Sequence, residues 1–251
     1  MTNLAANLLN FTPISLEEMD RVKLLDRIDT KYVFNQDMLE NYMLAIVGQY
    51  KILSIDGKLV HPYETLYYDT PDYSLYRMHH NGRQNRFKLR FRKYLNSNIS
   101  FFEIKKKTNT HRTIKKRVSV EDILETLNDP LKEFIANHTP DTTRTYVPSL
   151  RVYFNRITLV NIFANERLTI DTDLRYTING HEKCIEKMVI AEVKQEKHNV
   201  SPFQQLMLKK RLRGNYISKY CMGVVCLIRE VKKNNFKRKL ITLNKLGYDL
   251  L

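Results

Sequence analysis

The sequence predicts an α+β fold in which a large antiparallel sheet closes into an eight-stranded β-barrel with a basic lumen, flanked by helices. Three observations carry that expectation. Eight segments read as strands, a short one at 27–34 and then, with period-two alternation, 65–69, 86–94, 99–107, 113–120, 150–160, 167–176 and 188–196. Short turn signals lie before and between several of them: Asn81-Gly82, Asn96-Ser97-Asn98 and Asn179-Gly180. Lysine and arginine recur two residues apart on one face of successive strands, while the other face is apolar.

The elements follow in order. Ser15, with Glu18 three residues on, forms a capping box that opens a helix through Met19, Val22, Leu24 and Leu25. After the strand at 27–34, Asn35 caps a helix in which Met38, Leu39, Tyr42, Met43 and Ile46 keep helical spacing. Four strands come next, then a helical interlude at 121–138 broken at Pro130. The last three strands contain the Asn179-Gly180 hairpin signal. Pro202 suits the first position of a helix through Leu206, Met207 and Leu208 to Leu212, ended by Gly214. Ser218 caps a final helix to about residue 232. No internal repeat or long linker divides the chain, so it reads as one domain over 1–251, with a core at about 15–232 and a basic tail at 233–251.

Composition narrows the function classes. The chain has 251 residues, 42 Lys+Arg against 27 Asp+Glu, and a formal net charge of +15. Hydrophobic residues at 43%, with seven Gly and seven Pro, exclude collagen-like and low-complexity polypeptides. The longest apolar stretch, residues 221–228, is too short to span a bilayer and is bounded by Lys219 and Arg229. The N-terminal residues lack the pattern of a secretory signal. Cys184, Cys221 and Cys226 are odd in number and have no metal-ligand spacing, so they read as thiols of a reducing compartment, and the cytoplasm is the expected location. The surplus of base requires a polyanionic partner: nucleic acid, anionic lipid or a soluble phosphate compound.

Strand periodicity says where the charges point. Lys88, Arg90 and Arg92 share one face, opposite Phe87, Leu89 and Phe91. Glu103, Lys105 and Lys107 lie opposite Phe102 and Ile104, and Lys115 and Arg117 opposite Ile114, Val118 and Val120. Arg167, Thr169, Asp171 and Asp173 oppose Leu168 and Ile170; Glu192, Lys194 and Glu196 oppose Val189, Ala191 and Val193. One such strand is ordinarily a solvated sheet face. Five in succession, with like charges at adjacent sites, need a counter-anion, and the arginine fork and lysine ammonium suit phosphate. Glu192 and Glu103 are the carboxylates placed to hold Mg²⁺ or Mn²⁺ beside substrate phosphates, or else to pair with neighbouring lysines.

These residues resemble a known family. Arg27, Asp29 and Lys31 in the run 27–34, Tyr67-Tyr68-Asp69-Thr70 followed by Tyr73 and Tyr76, and Lys88-Leu89-Arg90-Phe91-Arg92 resemble motifs of the VTC domain. So do Phe102-Glu103-Ile104-Lys105-Lys106-Lys107, Tyr153-Phe154-Asn155-Arg156, the run 167–173, Ala191-Glu192-Val193-Lys194 and Ser218-Lys219-Tyr220, all in the family's order. The VTC domain is the catalytic part of the vacuolar transporter chaperone polyphosphate polymerase and also occurs as a stand-alone bacterial protein. It is one of the triphosphate tunnel metalloenzymes, whose fold is an eight-stranded antiparallel barrel with a basic tunnel. The resemblance implies transfer of the γ-phosphate of ATP to polyphosphate with Mn²⁺ or Mg²⁺. By position it implies Lys31, Arg90, Arg92, Lys105, Arg156, Arg167 and Lys219 as phosphate ligands, with Lys107, Lys115 and Lys194 beside them and Glu192 on the metal. Where tunnel hydrolases carry two glutamates before the first lysine, this chain has Arg27 and Asp29, which favours the polymerase-like branch.

The expected activity is therefore metal-dependent phosphoryl transfer from ATP to a growing polyphosphate chain, with Arg90, Arg92, Lys105 and Glu192 as catalytic residues. Hydrolysis of tripolyphosphate or a nucleoside triphosphate is the alternative, and a non-catalytic polyphosphate-binding module ranks third. A specific nucleic-acid partner is not expected: Phe87 and Phe91 lie opposite the basic face of their strand, and no RRM, KH or zinc-finger pattern occurs. His61, His79, His80, His111 and His138 read as loop residues, so no nucleophile–base pair is invoked.

Overall fold

The computed structural model describes residues 4–20, 27–110, 112–140, 143–196, 201–215, 217–248 and 250. Their strands are β1 (Thr12–Ile14), β2 (Arg27–Asn35), β3 (Tyr50–Leu53), β4 (His61–Asp69), β5 (Arg86–Tyr94) and β6 (Ile99–Lys107). There follow β7 (Thr113–Val120), β8 (Val147–Asn161), β9 (Glu166–Ile178), β10 (His181–Ile185) and β11 (Met188–Glu196). The α-helices are α1 (Leu4–Leu8), α2 (Leu16–Asp20), α3 (Leu39–Leu44), α4 (Ser74–His80), α5 (Asp129–Ala136), α6 (Pro202–Lys209), α7 (Lys219–Leu227) and α8 (Lys237–Lys245). The chain is α+β, with a mostly antiparallel sheet and flanking helices.

Two compact units divide the chain. One comprises Met1–His61, Phe154–Leu174 and Glu186–Ile217; the other Pro62–Tyr153, Arg175–Ile185 and Ser218–Leu251. In the first, β11 lies between β2 and β9 in antiparallel register, Glu192 standing between Lys31 and Thr169. Strand β3 adds to β8, and the short β1 adds to β3 in parallel. The apolar side of these strands (Tyr32, Phe34, Leu168, Ile170, Val189, Ala191 and Val193) packs with α3 and α6 into one core. Side chains of alternate residues leave the charged set on the opposite side.

In the second unit β4, β5, β6 and β7 pair antiparallel in sequence order. Leu66, Tyr68, Leu89, Phe91, Phe102 and Ile104 form its core with Leu131 and Ile135 of α5. Helix α5 spans eight residues, too short to persist alone, so the burial of these two side chains four residues apart, each contributing about 1.5–3 kcal/mol, decides it. Helix α7 carries Gly223 in its interior because a Cβ there would stand 2.6 Å from both Leu150 and Tyr176 side-chain atoms.

The barrel closure expected from the sequence is not formed. The hydrogen-bonded order β2-β11-β9-β8-β4-β5-β6-β7 contains the expected number of strands but is open, and β1, β3 and β10 lie off it. Strand β7 gives a physical reason. Lys115, Lys116 and Arg117 put cations on both of its faces, and it is largely exposed, which is how natural edge strands resist further pairing.

Several local expectations also change. Pro130 opens α5 instead of breaking a longer helix, with Asn128 as cap accepting from Leu131 N at 3.2 Å. Helix α6 stops at Lys209, with Arg211 in the left-handed region, so Gly214 does not end it; a Cβ on Gly214 would lie 3.0 Å from the Thr30 side chain. The last-helix expectation is met by α7, capped by Ser218, but it ends at Leu227, and α8 follows in the tail. His79 and His80 lie in α4, and His61 is buried at the start of β4, none of them in loops. The Ser15–Glu18 capping box forms in both directions, at 2.9 and 3.2 Å. Val22, Leu24, Leu25 and His111 lie outside the described residues. No described helix is long and apolar enough to cross a membrane, and Cys184, Cys221 and Cys226 are free thiols.

Candidate functional site

In the second unit one sheet face collects the charges. The pairing registers put Lys88, Lys105 and Lys115 in one row straight across β5, β6 and β7. The next row reads Tyr67, Arg90, Glu103 and Arg117, and the one beyond it Thr65, Arg92, Phe101 and Ser119. Lys107 stands opposite Arg86 on β5 and Thr113 on β7, at the end of the same face. Eight cations (Arg86, Lys88, Arg90, Arg92, Lys105, Lys107, Lys115, Arg117) therefore share this face of β5, β6 and β7 with one carboxylate, Glu103. Directly opposed like charges repel; within this row Lys115 pairs with Glu103 and Lys88 donates to Ser218.

Glu103 organises part of this face. It is 0% exposed; Arg90 Nε and Nη2 donate to its Oε2 at 2.8 and 2.6 Å, and Lys115 pairs with its Oε1. Burial pushes the Glu103 carboxyl up, but Arg90, Arg92 and Lys115 overcome it and hold it well below the usual range. Arg90 is 7% exposed and donates through Nη1 to Tyr67 Oη at 3.2 Å. These bonds fix the guanidinium and leave two of its five N–H donors for another acceptor. Burial raises the Tyr67 phenol, yet Arg90, Lys88 and Arg92 bring it below its ordinary value. Arg92 lies over the Tyr63 ring, 5.6 Å from its centroid, and its buried Nε has no hydrogen-bond acceptor among the described residues. At the start of α7, Ser218 Oγ accepts from Cys221 N at 3.3 Å and from Lys88 Nζ at 2.8 Å, and Lys219 is the first helical residue.

The first unit carries a more evenly charged cluster. Lys31 Nζ lies 2.5 Å from Glu192 Oε1 and Lys194 Nζ 2.8 Å from Oε2. Burial pushes the Glu192 carboxyl up, but Lys194 and Lys31 hold it well below the usual range. Lys194 is pulled below the usual lysine value by its burial, against the attraction of Glu192. Arg156 grips Asp171 bidentately, at 2.6 and 2.8 Å. Arg167, opposite Lys194 in the register, donates to Met19 O at 3.2 Å.

The sequence-predicted residues thus fall into two sets: Lys31, Arg156, Arg167, Glu192 and Lys194 in one unit, and Arg90, Arg92, Glu103, Lys105, Lys107, Lys115 and Lys219 in the other. Sequence reasoning missed the role of Tyr67 and placed aromatics only on the apolar face. Strands β4 and β6 put Tyr63, Tyr67 and Phe101 on the basic face, under Arg92, Arg90 and Arg117. Only strand register reveals this, because each aromatic belongs to a different strand from the arginine it meets.

Mg²⁺ and Mn²⁺ take oxygen ligands. Glu103 is fully buried, with Arg90 on Oε2 and Lys115 on Oε1. Glu192 is ionised, its side chain is 16% exposed, and each oxygen faces one lysine ammonium. No group of three His, Cys, Asp or Glu stands together among the described residues. Of the two carboxylates, Glu192 is therefore the one that could receive a divalent metal, which would have to displace the Lys31 and Lys194 ammonium groups from its oxygens.

The family model of the VTC domain matches residues 26–228. Comparison with curated proteins gives no match. Among solved structures, the PH1012 protein of Pyrococcus horikoshii has a TM-score of 0.40 at 13% identity, covering 73% of this chain and 87% of that one. A conserved hypothetical protein of Pyrococcus furiosus has a TM-score of 0.45 at 10% identity, covering 78% and 99%. HpAC1 of Hippeastrum, described as a candidate adenylyl cyclase with a dominant triphosphatase activity, has a TM-score of 0.47 at 10% identity, covering 78% and 94%. At these scores the likeness carries neither fold nor function across.

Proposed function

Since the chain belongs to the VTC domain family, we propose that it is a phosphotransferase that passes the γ-phosphate of ATP to the end of a polyphosphate chain. One observation carries the phosphate assignment. Among the described residues the buried Nε of Arg92 lacks an acceptor, on a face where eight cations accompany one carboxylate. An orphaned, buried charged donor is costly, and a phosphate oxygen would satisfy it.

Phosphoryl transfer needs positioning and charge neutralisation more than covalent help from the protein. In this reading a terminal phosphate oxygen of the acceptor chain attacks the γ-phosphorus. The bond from that phosphorus to the bridging oxygen breaks, and ADP leaves with the electron pair. Arg90, held by Glu103 and Tyr67, offers its remaining N–H donors to the phosphoryl oxygens, and Arg92 and Lys105 act beside it. Lys88, Lys107, Lys115 and Lys219 bind flanking phosphates. Lys31, Arg156, Arg167 and Lys194 are phosphate ligands by the same family reading, and Glu192 is the ligand for Mn²⁺ or Mg²⁺. A divalent metal there supplies charge neutralisation on the phosphate oxygens. Glu103 serves to hold Arg90 and Lys115.

The test is incubation of the purified chain with ATP and Mn²⁺, with products resolved on a gel stained for polyphosphate. A ladder supports the proposal. Orthophosphate without a ladder would instead indicate a triphosphate hydrolase, and tripolyphosphate binding without turnover a binding module.

A further inference from the structure

A buried carboxylate stands at the end of β4, on the same side of that strand as Thr65 and Tyr67, and takes no part in the chemistry above. Asp69, the last residue of β4, is 0% exposed. Its Oδ1 accepts from Thr70 N at 2.7 Å and Leu75 N at 2.8 Å. Its Oδ2 accepts from Tyr76 N at 2.8 Å and from the Tyr220 hydroxyl at 2.5 Å. Tyr220, buried in the first turn of α7, also bonds Ser149 of β8 at 3.0 Å. Its ring lies against that of Tyr67, with centroids 4.9 Å apart and planes at 31°. Tyr67 in turn accepts from Arg90. Isolated buried carboxylates are expensive. This one is satisfied by the backbone N–H groups of Thr70 and of Leu75 and Tyr76 in α4, and by one phenol, so it ties α4, α7 and β8 together at one point.

We propose that Asp69 is a positioning residue for the phosphate grip: through the Tyr220 hydroxyl it fixes the ring against which Tyr67 packs, and through Tyr67 it aims Arg90. The same tie sets the first turn of α7, where Ser218 receives Lys88 and where Lys219 stands. The inference rests on reading Arg90 and Lys219 as phosphate ligands. Burial raises the Asp69 carboxyl, and its four donors oppose that rise. The Tyr220 phenol is raised by burial and by Asp69, so it stays protonated as the donor of the pair.

Tyr220→Phe removes the hydroxyl and keeps the ring, and the full chain can be titrated with tripolyphosphate by calorimetry. Loss of one such hydrogen bond is worth a factor of about 3–10, so the folded variant is expected to bind tripolyphosphate about 3- to 10-fold more weakly. Tyr67→Phe should produce a loss of similar size, and the double variant no more than either single one, because both interrupt one chain of contacts. A purely structural role would lower the melting temperature and leave the affinity of the folded protein unchanged. Asp69→Asn, read as the rise in melting temperature that tripolyphosphate confers, gives the same answer where Tyr220→Phe folds poorly: a smaller rise than in the unsubstituted chain is expected. Unsubstituted affinity in folded Tyr220→Phe, or an undiminished rise in Asp69→Asn, overturns the inference alone. Absence of tripolyphosphate binding by the unsubstituted chain overturns the functional reading and this inference with it.

Discussion

Replacing Glu103 by glutamine measures what holds the basic face together. The amide keeps the size of the carboxylate and one acceptor oxygen, but it removes the only negative charge on that face of β5, β6 and β7. Arg90, 7% exposed, would keep a hydrogen bond and lose its counter-charge. Removing one partner of a buried ion pair costs about 3–5 kcal/mol. Two features lower that figure: the retained acceptor, and the one-third exposure of the Lys115 side chain, which lets water screen its share. A loss of about 2–3 kcal/mol remains. For a chain of this length it corresponds to a fall of about 4–12 °C in melting temperature. The chain has no tryptophan, so far-UV circular dichroism is the suitable probe for thermal and urea unfolding. Adding Arg90→Met to Glu103→Gln should recover part of the loss, since the uncompensated cation is then gone. The pH dependence has a definite sign. The Glu103 carboxyl is held well below its ordinary value of 4.5 when folded. Its contribution is therefore complete above that value and is lost as pH falls beneath it toward the depressed folded value. Glu103→Gln should lack this part of the acid limb. A loss below about 0.5 kcal/mol, as for an ordinary surface change, or a double variant whose losses simply add, would refute the reasoning.

Two further outcomes follow from the same geometry. Arg92→Ala should lower the rate of polyphosphate synthesis by about 10²–10³, the usual effect of removing a preorganised donor, with the circular dichroism spectrum unchanged; full activity in this variant would exclude Arg92 from the site. Gly223→Ala should destabilise the second unit by about 1–3 kcal/mol, although alanine favours helices, because its Cβ would meet Leu150 and Tyr176 at 2.6 Å; an unchanged urea midpoint would show that these side chains move aside freely.

Much of the fold was legible in the chain. The bounds of β5, β6, β7 and β11 coincide with the predicted segments because their alternation is clean and turn residues flank them: Asn98 and the pair Asn179 and Gly180 do take positive φ. The short elements were not legible. Strands β1, β3 and β10 have three to five residues, and α4 has seven, too few to show a period above background. Their formation depends on partners far along the chain, as β3 depends on β8. The basic residues of the site were legible by type and by face, since that requires only counting in twos. Their pairings were not. Glu103 was equally open to a metal or to lysine, and it is the register of β5, β6 and β7 that gives it to Arg90 and Lys115.

The sequence by itself determined an α+β chain with one charged and one apolar side to its strands, and a surplus of base disposed to meet phosphate. Alternation along a strand is a local property, fixed by the tetrahedral geometry of each Cα, and needs no neighbour. The tertiary structure alone decided that the strand order stays open at β7 and that Tyr67 lies beside Arg90. It likewise decided that Asp69 anchors Tyr220, 151 residues away. Register, edge position and contacts between distant segments depend on which strands meet, and no single strand carries that information in its own residues.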